Sequence, residues 1–230
     1  MIIPLRVDVP TWRRPFVNWV LMAVIICMSI AAFYDVGLLY DMAGVEGGGL
    51  TQNAGLWPVY AVSSSFLHGG WVHLIGNMLF LWIFGNAVNY KFGHLGYAGL
   101  YLAAAMVGGL AHYGLDGRPA VGASGAINGV MGAFLVFFPR NNISCLFLMY
   151  FPPYYFIARR FTLSSIWMIL FWIAWDLFYL AMGTQTCVGH WAHAGGFLAG
   201  FGVAILCAIS GLVKPTEDEQ TLLQVLKLRR

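Results

Sequence analysis

Charge is what this sequence of 230 residues has least of: Asp, Glu, Lys and Arg together make up 9% of it, against about 25% in ordinary soluble domains. So few charges cannot cover the surface of a soluble globule. Lys and Arg number 12 against 9 Asp and Glu, a net charge of +3, which excludes the basic footprint of a nucleic-acid binder. Cysteine is scarce too, and four residues do not make a disulfide scaffold. Internal repeats, low-complexity linkers and an HExxH zinc signature are absent. What is abundant is apolar surface, 60% of all residues. That excludes a disordered chain and leaves a polytopic membrane protein.

A hydrocarbon core of about 30 Å needs about 20 mostly apolar residues per helix. Six segments of that kind are expected: Phe16 to Tyr34, Trp71 to Asn89, Tyr97 to Leu115, Gly122 to Phe138, Leu163 to Met182 and Val188 to Val213. The first is read as a retained anchor, being too long for a removable signal and lacking a small-residue cleavage site. Orientation follows from Lys and Arg, which concentrate in cytoplasmic loops. Arg6, Arg13 and Arg14, then Lys91, then Arg140, Arg159 and Arg160, then Lys214, Lys227, Arg229 and Arg230 fall on one side, and Arg118 alone on the other. The fold expected is an all-α bundle of six transmembrane helices with both termini cytoplasmic. Residues 1–15 form a cytoplasmic N-terminus, 16–213 the membrane domain and 214–230 a solvated tail. Ile143 to Ile157 is apolar but short and broken by Pro152 and Pro153. It reads as an interfacial or buried inner segment.

Polar side chains are costly in hydrocarbon, so their positions carry information. They gather at the outer ends of the even-numbered spans. Span two opens with His68, His73 and Asn77, span four with Gly122, Ala123, Ser124 and Gly125, and span six with Gly189, His190, His193, Gly195 and Gly196. At 1.5 Å per residue, Ser124 and His193 lie within about 10 Å of their helix starts, at matching depth in one leaflet. His73 and Asn77, four apart, share a helix face. Gly125, Gly129 and Gly132 on span four, with Gly196 and Gly200 on span six, have the small-xxx-small spacing that lets helices approach closely. A nucleophile candidate, a base candidate and two hydrogen-bond donors thus converge from three helices. Taken singly, each has a plainer reading as a packing or hydrogen-bonded interior residue.

Together these motifs resemble the rhomboid intramembrane serine proteases. Gly122-Ala123-Ser124-Gly125 resembles that family's GxSG, His73 with Asn77 its HxxxN, and Ala192-His193-Ala194-Gly195-Gly196 its AHxxG. The resemblance implies an endopeptidase that cuts transmembrane segments of membrane-anchored proteins with a Ser–His dyad. Ser124 would be the nucleophile and His193 the general base. His73, Asn77 and the Ser124 backbone N–H would hold the oxyanion, and His68, Gly122, Ala123 and His190 would line the site. No cofactor, metal or nucleic acid is implied, and the partners are substrate helices and the bilayer. A bacterial-type plasma membrane, with the site opening to the outer face, is expected. A non-catalytic relative that binds transmembrane helices is the alternative. Asn128 stands where many relatives carry an aromatic residue against the histidine, and Asn89 where many carry Glu. No acid stands where a third triad member is expected, and Asp176, inside span five, matches no motif of the family.

Overall fold

Away from water, a helix is the one open structure that satisfies every backbone N–H and C=O within a single segment. The computed structural model, which describes residues 2–9, 13–151, 155–183, 188–216 and 219–227, is accordingly mostly helical. Helix α1 is Phe16–Tyr34. A connection follows in which α2 (Val36–Ala43), the short strands β2 (Val45–Glu46) and β3 (Gly49–Leu50), and α3 (Trp57–Ser63) fold against the helices. Then come α4 (Trp71–Phe80), a π-helical turn over Leu81–Gly85, α5 (Asn86–Leu115), α6 (Ser124–Phe137), α7 (Ser165–Met182), α8 (His190–Ser210) and the single-turn α9 (Leu222–Val225).

Among the described residues, four helical stretches are long and apolar enough to cross a membrane: α1, the run Trp71–Leu115, α7 and α8. The expected second and third spans are thus one run of 45 residues, turned at Gly93, whose φ of 71° breaks the helical geometry. Helix α6, with 14 residues, is only about 21 Å long. Apart from Ser124 and Asn128 it is buried from end to end.

Glycine explains how α6 can lie so deep. A Cβ on Gly196 would overlap the carbonyl of Gly125, and one on Gly200 would overlap that of Gly129. The backbones of α6 and α8 are therefore in direct contact, which a larger residue at either point would forbid. Helix α5 completes the core, with Gly108 set against Ala192 and Gly196. A polar knot fastens α1 to this centre. Asn18 Nδ2 donates to the Leu81 carbonyl at 3.0 Å and to Asn86 Oδ1 at 2.8 Å, while Tyr97 donates its hydroxyl to Asn18 Oδ1 at 2.5 Å. The Leu81 contact falls on the first residue of the π-helical turn. Asn89 joins the knot, accepting the Asn18 N–H at 3.1 Å and donating to the Gly93 carbonyl at 3.2 Å.

Two expectations at the other end of the helices need correction. The all-helical reading omits a three-stranded antiparallel sheet, ordered β1 (Ile2–Val7), β4 (Asn142–Phe151), β5 (Tyr155–Ser164). Ile143 to Ile157 is thus a β-hairpin. Burial alternates along its first strand, with Ile143 and Cys145 covered and Asn142 exposed, the period of two that a strand imposes. Pro152 and Pro153 lie outside the described residues. Pro4 is tolerated because β1 is an edge strand whose register slips between Pro4 and Arg6. The tail is also more than solvated. Thr221 caps α9 in a capping box, Leu222 is buried in the core, and Glu219 pairs with Lys91 where both side chains are largely covered. The N-terminal strand, the hairpin and the tail therefore meet at one end of the bundle, with Arg140 bonded to Gln220 and Asn142 to Asp8.

Candidate active site

The opposite end of the bundle is hollow. A cavity of about 1320 Å³ is lined from α4 by Trp71, His73, Gly76, Asn77 and Phe80, from α6 by Ser124 and Asn128, from α7 by Trp172, Trp175, Asp176 and Tyr179, and from α8 by His190 and His193.

Ser124 owes its place to the segment before it. Gly122 has a φ of 133°, in the region that disfavours side chains. A Cβ there would also lie 2.7 Å from the His73 ring. That same point is 2.9 Å from His73 Nε2 and 3.7 Å from Ser124 Oγ, so the second-helix imidazole stands beside the serine hydroxyl. Ser124 is the first residue of α6. The first bond of the helical ladder runs from Ile127 N–H to the Ala123 carbonyl, leaving the N–H groups of Ser124, Gly125 and Ala126 outside it. With the helix dipole behind them, they favour negative charge at that spot.

His68 braces this turn from behind. Its Nε2 accepts the Ala123 N–H at 3.4 Å, which makes Nδ1 the protonated nitrogen and a donor to Ser29 Oγ at 2.9 Å. Ser29 Oγ in turn donates its hydroxyl to the Phe66 carbonyl at 3.3 Å. The chain of bonds closes only with a neutral imidazole. Burial, and secondarily the neighbouring His73 ring, hold the His68 pKa down at about 3. His68 and Ala123, expected in the site wall, therefore stand behind it, both wholly buried. Gly122 and His190 do line the cavity. Asn77 donates from Nδ2 to the His73 carbonyl at 3.0 Å, which leaves its second N–H available to the cavity.

Around His193 the sequence reading needs its main correction. A carboxylate does stand beside the histidine. His193 Nδ1 lies 3.0 Å from Asp176 Oδ2 and 3.1 Å from Oδ1. His190 Nδ1 lies 2.6 Å from the same Oδ1. The His190 ring is stacked on Tyr179, centroids 5.1 Å apart and planes within 4°. Depth arithmetic could have found this pair. Asp176 is six residues from the end of α7 and His193 three from the start of α8, so the two differ in depth by about 5 Å. Motif matching concealed it, because Asp176 belongs to no motif.

The oxygen of Asp176 and the ring nitrogens of His190 and His193 lie within 4.8 Å of one another, a spacing at which a cation could be held. The same atoms here bond to each other. Ser124 and His193 face one cavity, and among the described residues no hydrogen bond joins them. In hydrolases without substrate such bonds are often long. His193 also stands near enough to His73 and His112 to interact electrostatically with both rings.

Comparison with known proteins agrees with this architecture. The Rhomboid domain description matches residues 54–210. RHOMBOID-like protein 5 of Arabidopsis thaliana is 33% identical over 147 residues, 61% of this chain and 41% of that protein. Rhomboid protease GluP of Bacillus subtilis is 44% identical over 69 residues, 30% of this chain and 14% of its own length. Rhomboid protein 1, mitochondrial, of Saccharomyces cerevisiae is 37% identical over 90 residues, 36% of this chain and 26% of its own. The chain thus spans well under half the length of these relatives. Bacterial and mitochondrial names occur among them alike, so the likeness gives a bacterial plasma membrane no preference. With that domain match covering more than half of it, the chain belongs to the rhomboid family of integral, multi-pass membrane proteins.

Proposed function

We propose that this protein is an intramembrane serine endopeptidase that cuts transmembrane segments of membrane-anchored proteins. The observation that carries the reading is the meeting of Ser124, His193, His73 and Asn77 on one cavity. Ser124 Oγ attacks the scissile carbonyl carbon while His193 Nε2 takes its proton. The resulting oxyanion is held by the Ser124 N–H, His73 Nε2–H and Asn77 Nδ2–H, a set of preorganised donors worth several kcal/mol. His193 then returns the proton to the leaving amine, and water releases the acyl group.

Substrate enters from the lipid between α4 and α7, whose facing walls carry Trp71, Gly76 and Phe80 on one side and Trp172 and Trp175 on the other. Helix α7 is held mainly at its start, where Ser165, Met168 and Ile169 are buried. A helical peptide bond is shielded by its own hydrogen-bond ladder and must unwind before attack. The cavity supplies the polar partners for that unwinding, among them Ser64, Ser65 and Asn128. Six crossings with both termini cytoplasmic and the cavity outward account for the gathering of β1, the hairpin and the tail at one end. The likeness to Rhomboid protease GluP adds support at the level of the family.

The test is cleavage of a panel of tagged single-span proteins in cells. Wild type is expected to release fragments, and Ser124→Ala and His193→Ala none, with all three inserted in the membrane. Equal cleavage by wild type and Ser124→Ala would overturn the proposal. Binding of the panel with no cleavage by wild type would identify a non-catalytic helix-binding relative instead.

A further inference from the structure

We infer that Asp176 is the third member of a Ser124–His193–Asp176 triad, a positioning residue that sets the tautomer and direction of the base. The inference rests on the Ser124–His193 reading above and adds to it a carboxylate from a different helix.

Geometry carries it. His193 has two ring nitrogens, and only Nε2 without its proton can receive one from Ser124. An ionised carboxylate is acceptor-only, so a group whose two oxygens lie 3.1 and 3.0 Å from Nδ1 places the proton on Nδ1 and leaves Nε2 as the base. As Ser124 Oγ bonds to the substrate carbonyl carbon, its proton passes to Nε2 and the ring becomes an imidazolium. Asp176 then faces that positive charge directly, and keeps its own negative charge throughout. On collapse of the intermediate, the Nε2 proton goes to the leaving amine and the ring returns to its starting tautomer. Protons and charge balance with no further partner.

The carboxylate is itself held. His190 Nδ1 donates to Oδ1 at 2.6 Å, and its ring is fixed by the stack on Tyr179. An acid on the apolar α7 is costly unless paired, and this one is paired twice. Both of its partners lie on α8, one turn apart. The groups facing His193 are Asp176 from α7, His190 on its own helix, His73 from α4 and His112 from α5. Asp176 is the one anion among them. Because it rides on α7, which is buried at its start only, the triad is complete when that helix lies against α8. The position of α7 thus bears on the competence of the base as well as on entry to the cavity.

The test uses Asp176→Asn and Asp176→Glu in the full chain, reconstituted in liposomes, with a single-span substrate that wild type cuts. Asparagine keeps the shape but offers an N–H to Nδ1, which selects the wrong tautomer. In a soluble serine protease the equivalent change lowers kcat about 10⁴-fold with the geometry intact. The expected result here is a kcat reduced at least about a hundredfold, with KM within about twofold and the detergent melting temperature within a few degrees of wild type. Labelling of Ser124 by a fluorophosphonate, which needs the base but no substrate docking, should slow in parallel. Asp176→Glu should recover part of both rates. Wild-type kcat in Asp176→Asn, a loss no greater than its loss of folded protein, or no recovery in Asp176→Glu would overturn the inference. Ser124→Ala and His193→Ala in the same assay separate the two readings. If both are inactive while Asp176→Asn is fully active, only the triad fails. If Ser124→Ala still cleaves, the serine mechanism itself fails.

Discussion

Buried, and with no anion beside it among the described residues, His68 couples the fold to pH through its charge state. Its pKa is near 3 in the folded protein and 6.5 for a free imidazole. Between those values the unfolded chain binds a proton that the folded one refuses, so stability is full above about pH 6.5 and is lost as pH falls toward 3. The loss amounts to a few kcal/mol at the most acidic end, on the order of 1.4 per pH unit crossed. Thermal unfolding in detergent from pH 7 to pH 4 should show it, and His68→Gln, which cannot titrate, should flatten the slope. An unchanged slope in that variant would assign the acid sensitivity elsewhere. The residues bearing motif identity, Ser124, His193, His73 and Asn77, were legible because spacing alone put them at one depth. Asp176 lay within reach of the same depth arithmetic but was passed over, because it belongs to no motif. Nor does sequence reveal that Asn128, in the place of the expected aromatic, donates to the Ser124 carbonyl at 2.9 Å, while support for the histidine comes from α7.

Among the elements, α6 and α8 form the joint on which the site depends. Ser124 and His193, the proposed nucleophile and base, sit at the starts of these two helices, and their relative position is set by the glycine contacts below them. Gly200→Ala should force the backbones apart, costing about 1–3 kcal/mol and lowering activity by more than the loss of folded protein. Gly202, on the same helix with open space around its Cα, is the control. Gly202→Ala should be neutral or stabilising by up to about 1 kcal/mol. Equal effects of the two substitutions on melting and cleavage would contradict close packing as the organising contact. The helices themselves were readable from apolar length. The hairpin was not, because an apolar run of about ten residues looks alike whether it becomes a strand or a buried helix. What decides it is pairing with Ile2–Val7, a partner more than 130 positions away that no local window contains.

For the molecule as a whole, the two ends of the bundle divide the work. One end is closed by the sheet, the tail and the Lys91–Glu219 pair, and the other holds the cavity. Charge distribution made this polarity legible, since eleven of twelve Lys and Arg fall on one side of the expected spans. The folding of the tail onto the bundle was not legible, because the residues that carry it, Leu222 and Leu223, belong to a short apolar end that follows a polar stretch. Tags at residues 1 and 230 should be cytoplasmic and a tag near Gly48 external, read by protease or dye accessibility in intact cells. Opposite sides for the two termini would break the six-crossing proposal. The central claim is that Ser124 is a nucleophile activated by His193. It is tested most directly by treating the purified full chain with a fluorophosphonate and mapping the adduct by mass spectrometry. A single adduct on Ser124 in wild type, absent from His193→Ala, is the result predicted. No adduct, an adduct on another residue, or equal labelling of Ser124 in His193→Ala would contradict the account.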